Sequence, residues 1–202
     1  KWYGYFELQG RSIASINQID YNEVKAGAGY NLNSKNSVLL AYGQYTNFAH
    51  DKTSKIERRA WIQYVSNFNV NRLRFESRFR LEQRFIHIPN VGDDAMQRFR
   101  YRLNLILPIN KPKVEKETFF VNAYDEPFIN FESPVLGRNR IYGGFGYQAT
   151  NTFGFNLGYL FQRDFSANGN SNLHYIFASL NFVFSKKALP KKEIKLPSSD
   201  VD

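Results

Sequence analysis

Three sets of side chains in this sequence could do chemistry. The largest places a charge at every second position: Arg72, Arg74, Glu76, Arg78, Arg80, Glu82 and Arg84, then Arg98, Arg100 and Arg102. Guanidinium groups bind carboxylates and other oxyanions through two parallel N–H bonds, so this set points to ion pairing or to anion passage. The second set is the histidines, His50, His87 and His174, expected at one rim beside Asp51, Asp93 and Asp94. Their spacing matches no ligand motif, and they read as solvated loop histidines with no metal. The third is Ser77 and Ser179; hydrolysis needs a serine beside a histidine that a further group orients, and neither serine has one near it. No catalytic residue or cofactor is expected.

The charges require an element that puts alternate residues on opposite sides. Leu73, Phe75, Ser77, Phe79, Leu81, Gln83 and Phe85 take the other parity of the first run, and Phe99, Tyr101, Leu103 and Leu105 that of the second. Period two is a strand; at about 100° per residue the arginines would circle a helix and leave no apolar face. Each run is about a dozen residues, which covers the roughly 9–11 of a tilted strand crossing a bilayer. No charged residue occupies the Leu/Phe face between Leu73 and Phe85 or from Phe99 to Leu107. Lipid demands that, because Arg or Lys at the bilayer midplane costs about 2–4 kcal/mol. The charges then face a lumen.

The expected lumen network is Arg74, Glu76, Arg78, Arg80, Glu82, Arg84, Arg98, Arg100, Arg102, Glu126 and Arg140, with Arg72 on the same parity and Glu82 near Arg98 or Arg100. In a narrow barrel these charges must be paired or hydrated. The same residues would serve a small anion-preferring pore.

Composition bounds the alternatives. The 202 residues carry 17% aromatic residues and no cysteine, with a mean hydropathy of −0.49. No stretch of about 18 apolar residues could form a transmembrane helix, so any lipid-facing surface is spread over strands. A net charge of +9 does not argue for nucleic acid, since the basic residues share strand faces with glutamate. Lys1 opens into Trp2-Tyr3-Gly4-Tyr5-Phe6 without a basic and apolar leader, as expected of a mature exported form.

In chain order, alternation predicts ten strands: about Trp2 to Arg11, Tyr21 to Leu32, Ser37 to Asn47, Ile56 to Phe68, the two charged runs, Thr118 to Phe131, Arg140 to Ala149, one from Phe153, and Leu173 to Phe184. Asp125-Glu126-Pro127 breaks the pattern and predicts a bulge. Strand glycines at period two, Gly27, Gly29, Gly144, Gly146, Gly154 and Gly158, read as relief of crowding. The even-numbered connections (33–36, 69–71, 108–117 and 150–152) look mostly tight and the odd ones longer and polar, the asymmetry of outer-membrane barrels with periplasmic termini. Residues 185–202, with Lys186, Lys187, Lys191, Lys192 and Lys195, read as a disordered basic periplasmic tail to a barrel over 1–184.

Four ordered blocks carry a family resemblance: Arg74 to Phe85, Arg98 to Leu103, Ala123 to Asn130, and Asn139 to Tyr147. They resemble the uncharacterised outer-membrane barrels grouped as domain-of-unknown-function family 2490, common in Bacteroidota. The resemblance implies an outer-membrane location, insertion by the barrel-assembly machinery and outer-membrane lipid as surroundings, but no activity and no catalytic residue. Family members usually begin with a further aromatic strand, so the count could reach twelve. The expectation is therefore an all-β, antiparallel, up-and-down transmembrane barrel of ten to twelve strands with a polar lumen. Its role is expected to be structural or accessory, as a subunit of a larger outer-membrane complex. A small passive anion pore is one alternative. The other is a soluble lipid-binding barrel, which would invert the faces and enclose Phe75, Phe79, Phe99 and Leu103.

Overall fold

Alternating polarity along nearly the whole chain leaves no helical face to bury, and the computed structural model is all-β. It describes residues 1–12, 19–49, 52–167 and 169–184. The ten strands are β1 (Trp2–Arg11), β2 (Tyr21–Asn31), β3 (Asn36–Ala49), β4 (Lys52–Val70), β5 (Leu73–Ile88), β6 (Gly92–Pro108), β7 (Thr118–Asn130), β8 (Leu136–Gln148), β9 (Phe153–Asp164) and β10 (Ser171–Phe182). They form one sheet in sequence order, with antiparallel ladders such as Tyr3 opposite Gly29 and Gly144 opposite Gly158. The expected ten-stranded up-and-down order is met. His50, Asp51 and the expected tail over 185–202 lie outside the described residues.

Three local expectations are corrected. Strands β4 and β6 begin earlier than the apolar alternation, at Lys52 and Gly92, so the connections over 50–51 and 89–91 are short while that over 109–117 is long. Short-even, long-odd connections are therefore not found. An antiparallel ladder continues as long as backbone partners remain, whatever the side chains, so polar hairpins extend past the apolar runs.

The expected bulge leaves no mark on the burial of β7. Burial alternates without a break through Asp125, Glu126 and Pro127, with Asp125 outward, accepting from Asn139 Nδ2 at 3.0 Å. In the β3–β4 ladder the register shifts between Asn47 and Phe48. Arg72, finally, does not join the charged face. It lies in the β4–β5 turn, and its Nη2 donates to the carbonyls of Pro108, Ile109 and Lys111 at 2.7–2.9 Å.

The chain divides into two compact units. The first comprises Lys1–Ser66, Arg78–Tyr101 and Phe128–Gly137; the second Asn67–Ser77, Arg102–Pro127 and Arg138–Asp202. In the first, Leu39, Ala41 and Trp61 are buried together with Tyr3 and Tyr5 against them. In the second, Tyr124, Tyr142 and Leu160 form one cluster and Ile106, Val114 and Phe120 another.

Candidate functional site: a buried charged face

A β-strand offers every second side chain to one side, and here the buried side carries the charges. In the first unit the arrangement centres on two glutamates. Glu82 accepts from Arg98 Nε and Nη2 at 2.9 and 2.5 Å and from Arg100 Nη1 at 2.9 Å, with Arg80 Nη1 at 3.5 Å. Glu57 accepts from Arg59 Nε at 2.6 Å and from both Nε and Nη2 of Arg84, at 2.5 and 3.0 Å, with Lys55 Nζ at 3.5 Å. An ionised carboxylate has about four lone-pair sites, so one glutamate can serve three cations. Both carboxylates are about 1% exposed; without these donors, such burial would not be tolerated.

A third group extends this face to β1 and β2. Lys25 Nζ donates to Glu7 Oε1 at 3.0 Å and lies 2.6 Å from Glu23 Oε1, whose other oxygen accepts from the Tyr21 hydroxyl at 2.5 Å. Aromatic rings supply the other faces of the cations. Arg59 lies 3.7 Å from the Tyr45 ring centre, Arg80 4.9 Å from Trp61, and Arg98 and Arg100 4.8 and 4.3 Å from Phe128. A desolvated guanidinium over a ring gains on the order of 2 kcal/mol. Arg80 also donates from Nε and Nη2 to Gln63 Oε1 at 3.0 and 2.5 Å.

The second unit buries fewer charges. Glu76 lies 3.3 Å from Arg102 Nη2 and 3.6 Å from Arg74 Nη2, and Arg74 donates to Asn67 Oδ1 at 3.1 and 2.8 Å. Arg140 Nε donates to Gln162 Oε1 at 2.8 Å. Around them Tyr142 stacks on Tyr124 with ring centres 4.9 Å apart, and Leu160 is fully buried. Space for the rings comes from glycine: a Cβ on Gly144 or Gly158 would collide with the Tyr142 ring, and one on Gly146 with Phe120. Gly29 makes the same allowance for Tyr3 in the first unit. The reading of the strand glycines as relief of crowding holds at these four positions.

All eleven residues expected in the network lie on the buried side. Ten are at most 4% exposed, Arg78, Glu126 and Arg140 among them, and the Arg84 side chain is 12% exposed. Glu82 meets both candidate arginines rather than one. Absent from the expected set were Glu7, Glu23, Lys25, Glu57, Arg59 and Gln63, which belong to the same face. Strand parity was the available signal, since Glu23 and Lys25 alternate with Val24 and Ala26 as the arginines do with Phe and Leu.

His87 and His174 take no part in the charged face. His87 Nδ1 lies 2.6 Å from Asp93 Oδ1 at an exposed position, and His174 sits on β10 beside the Tyr159 hydroxyl and the Phe161 ring rather than in a loop. Among the described residues no group of three His, Cys, Asp or Glu could hold a metal ion. Ser77 lies on the apolar side of β5, and Ser179 accepts from Asn181 Nδ2 at 3.4 Å.

On the opposite parity the strands expose large apolar residues: Leu40 66%, Ile62 56% and Leu81 45% in the first unit, Leu157 53% and Leu180 68% in the second. Aromatic pairs line this side towards the even-numbered connections, including Trp2 with Tyr30, Phe68 stacked on Phe75, and Phe119 against Tyr147.

Among known families, the model described as "Protein of unknown function (DUF2490)" matches residues 1–173, which take in β1 to β9 and the opening of β10. No curated protein matches the chain.

Proposed function

This chain belongs to the DUF2490 family of unknown function, and from that premise we propose that it is a non-enzymatic integral β-barrel protein of a bacterial outer membrane, with a structural or accessory role. The observation that carries the proposal is the inversion of the faces. Arg78, Arg80, Arg100 and Arg140 are at most 1% exposed, while Leu40, Leu157 and Leu180 on the other parity are more than half exposed. In water this arrangement leaves apolar area unburied at roughly 25 cal/mol per Å². Against acyl chains the same arrangement is favourable. The aromatic pairs near the strand ends fit a membrane-interface belt. A soluble lipid-binding barrel would need Phe79 enclosed, and Phe79 is 41% exposed.

The role follows from the depth of burial. Side chains bonded to one another and nearly inaccessible to water suit a filled interior rather than a conduit, so the protein acts through partners in an outer-membrane complex. Insertion uses the barrel-assembly machinery, and the source is a member of the Bacteroidota. One observation favours a second reading, an anion-preferring pore: among the described residues, nine buried Lys and Arg side chains face five buried Glu.

Membrane fractionation tests the location. The protein is expected with the outer membrane and released only by detergent; recovery in the soluble fraction or in an alkaline carbonate wash overturns the reading. Native mass measurement after mild-detergent purification tests the role, with stoichiometric partners expected. A lone monomer whose steady anion current falls on Arg78→Gln, Arg80→Gln or Arg100→Gln would favour the pore instead.

A further inference from the structure

Along the outward parity of β4 in the first unit, one charged side chain stands among apolar and small residues. On β4 the outward parity from Ile56 to Phe68 reads Ile56, Arg58, Ala60, Ile62, Tyr64, Ser66 and Phe68, and Arg58 is its one charged member and is exposed. Arg58 borders an open groove of about 670 Å³, shared with Ile56, Phe85, His87, Asp93 and Asp94. The level of the groove is set by its neighbours. On β5 and β6 the outward residues Phe79, Leu81 and Tyr101 are apolar, and the next are Gln83 and Gln97, bonded to each other at 3.1 Å. The groove therefore begins where apolar wall gives way to polar, the depth at which phospholipid headgroups lie.

Its charges select among headgroups. Asp93 and Asp94 are exposed and acidic, and His87 is held against Asp93. A phosphate alone would meet Arg58 but be repelled by two carboxylates, and a simple cation would meet the reverse. A group carrying a phosphodiester and a primary ammonium a few bonds apart satisfies both ends, with charge-assisted hydrogen bonds to Arg58 and to the aspartates. Ile56 and Phe85 offer apolar surface to the first carbons of the chains below. We propose that this groove holds the phosphoethanolamine headgroup of a membrane phospholipid, an inference that rests on the membrane reading above.

The test places the whole chain in phosphatidylcholine nanodiscs containing phosphatidylethanolamine or phosphatidylglycerol, then counts retained lipids by native mass spectrometry after release into detergent. The wild-type protein is expected to retain phosphatidylethanolamine over both other lipids. Arg58→Gln should lower that retention about tenfold, the loss of one charge-assisted hydrogen bond, and the double variant Asp93→Asn with Asp94→Asn should abolish the preference over phosphatidylglycerol. Both changes are at exposed positions, and Lys35→Gln, in the β2–β3 turn, should change nothing. Entry into nanodiscs with equal retention by all variants, or with phosphatidylglycerol held as well by the wild type, overturns the headgroup site alone. Failure to enter nanodiscs at all overturns the membrane reading and the site together.

Discussion

The two units fill the inner side of the same kind of strand by different means. In the first, Glu82 and Glu57 each gather three basic side chains, and rings such as Trp61 and Phe128 lie over the guanidinium groups. In the second, Tyr142 spreads over Gly144 and Gly158, Phe120 over Gly146, and Leu160 is buried beside them. Charge sharing is directional and collective, because removing one carboxylate strands every cation that used it. Ring over glycine is a matter of volume, where a methyl group too many is the damage and a smaller ring is its repair. The outer sides of the two units are alike, exposed and apolar, so whatever surrounds the protein makes one demand on both.

The most severe break of this contrast is the removal of a shared carboxylate. Glu82→Gln is expected to cost about 3–5 kcal/mol, the range for uncovering buried partners, read as a lowered urea midpoint in detergent micelles. Glu76→Gln in the second unit, with two arginines on its carboxylate, should cost less. Equal losses at the two sites would end the distinction between them.

Next in size is a change that should ignore the difference between units. Leu81→Arg and Leu157→Arg place a charge on the outer side of each and are expected to cost about 2–4 kcal/mol apiece in a bilayer, measured by unfolding in vesicles. A loss in vesicles that vanishes in water-soluble surroundings for one unit alone would mean that the outer sides are not equivalent.

The volume argument is sharpened by two adjacent glycines. Gly144→Ala drives a methyl group into the Tyr142 ring and should cost about 1–3 kcal/mol, much of it recovered when Tyr142→Leu is added. Gly143 faces the other way, with nothing within 4 Å of an added Cβ, so Gly143→Ala should be neutral or slightly stabilising. Similar midpoints for the two alanine variants would refute the crowding account. Smallest is Asp164→Asn, which loses the pair with Arg138, both side chains being about a quarter exposed. There solvent screening holds the cost to about 1 kcal/mol or less.

Much of this was legible in the residues. Arg74 to Arg84 and Arg98 to Arg102 alternate so regularly that strand, face and burial side could all be read before any contact was known. Glu23, Lys25, Glu57 and Arg59 follow the same parity on β2 and β4 but are fewer per strand and sit among glycine, alanine and tyrosine, so the face looked narrower than it is. Asp125-Glu126-Pro127 misled because polarity alternates poorly there, although the backbone alternates well: Asp125 has an outward partner in Asn139. The ends of β4 and β6 misled for the converse reason, since polar residues pair as readily as apolar ones once a hairpin has started.

The sequence by itself determined that this chain is a succession of strands, which side of the charged strands carries the charges, and the order in which neighbours meet. These are properties of single strands and short connections, set by a period of two and by chain length. Only the tertiary structure decided which carboxylate serves which arginines, which rings lie on which glycines, and where the register slips. Those depend on the ladder between strands, which brings together residues such as Glu57 and Arg84, or Glu82 and Arg98, far apart in the chain. Charges on one face are interchangeable in sequence, and a shift of two residues would leave every parity intact while changing every partner.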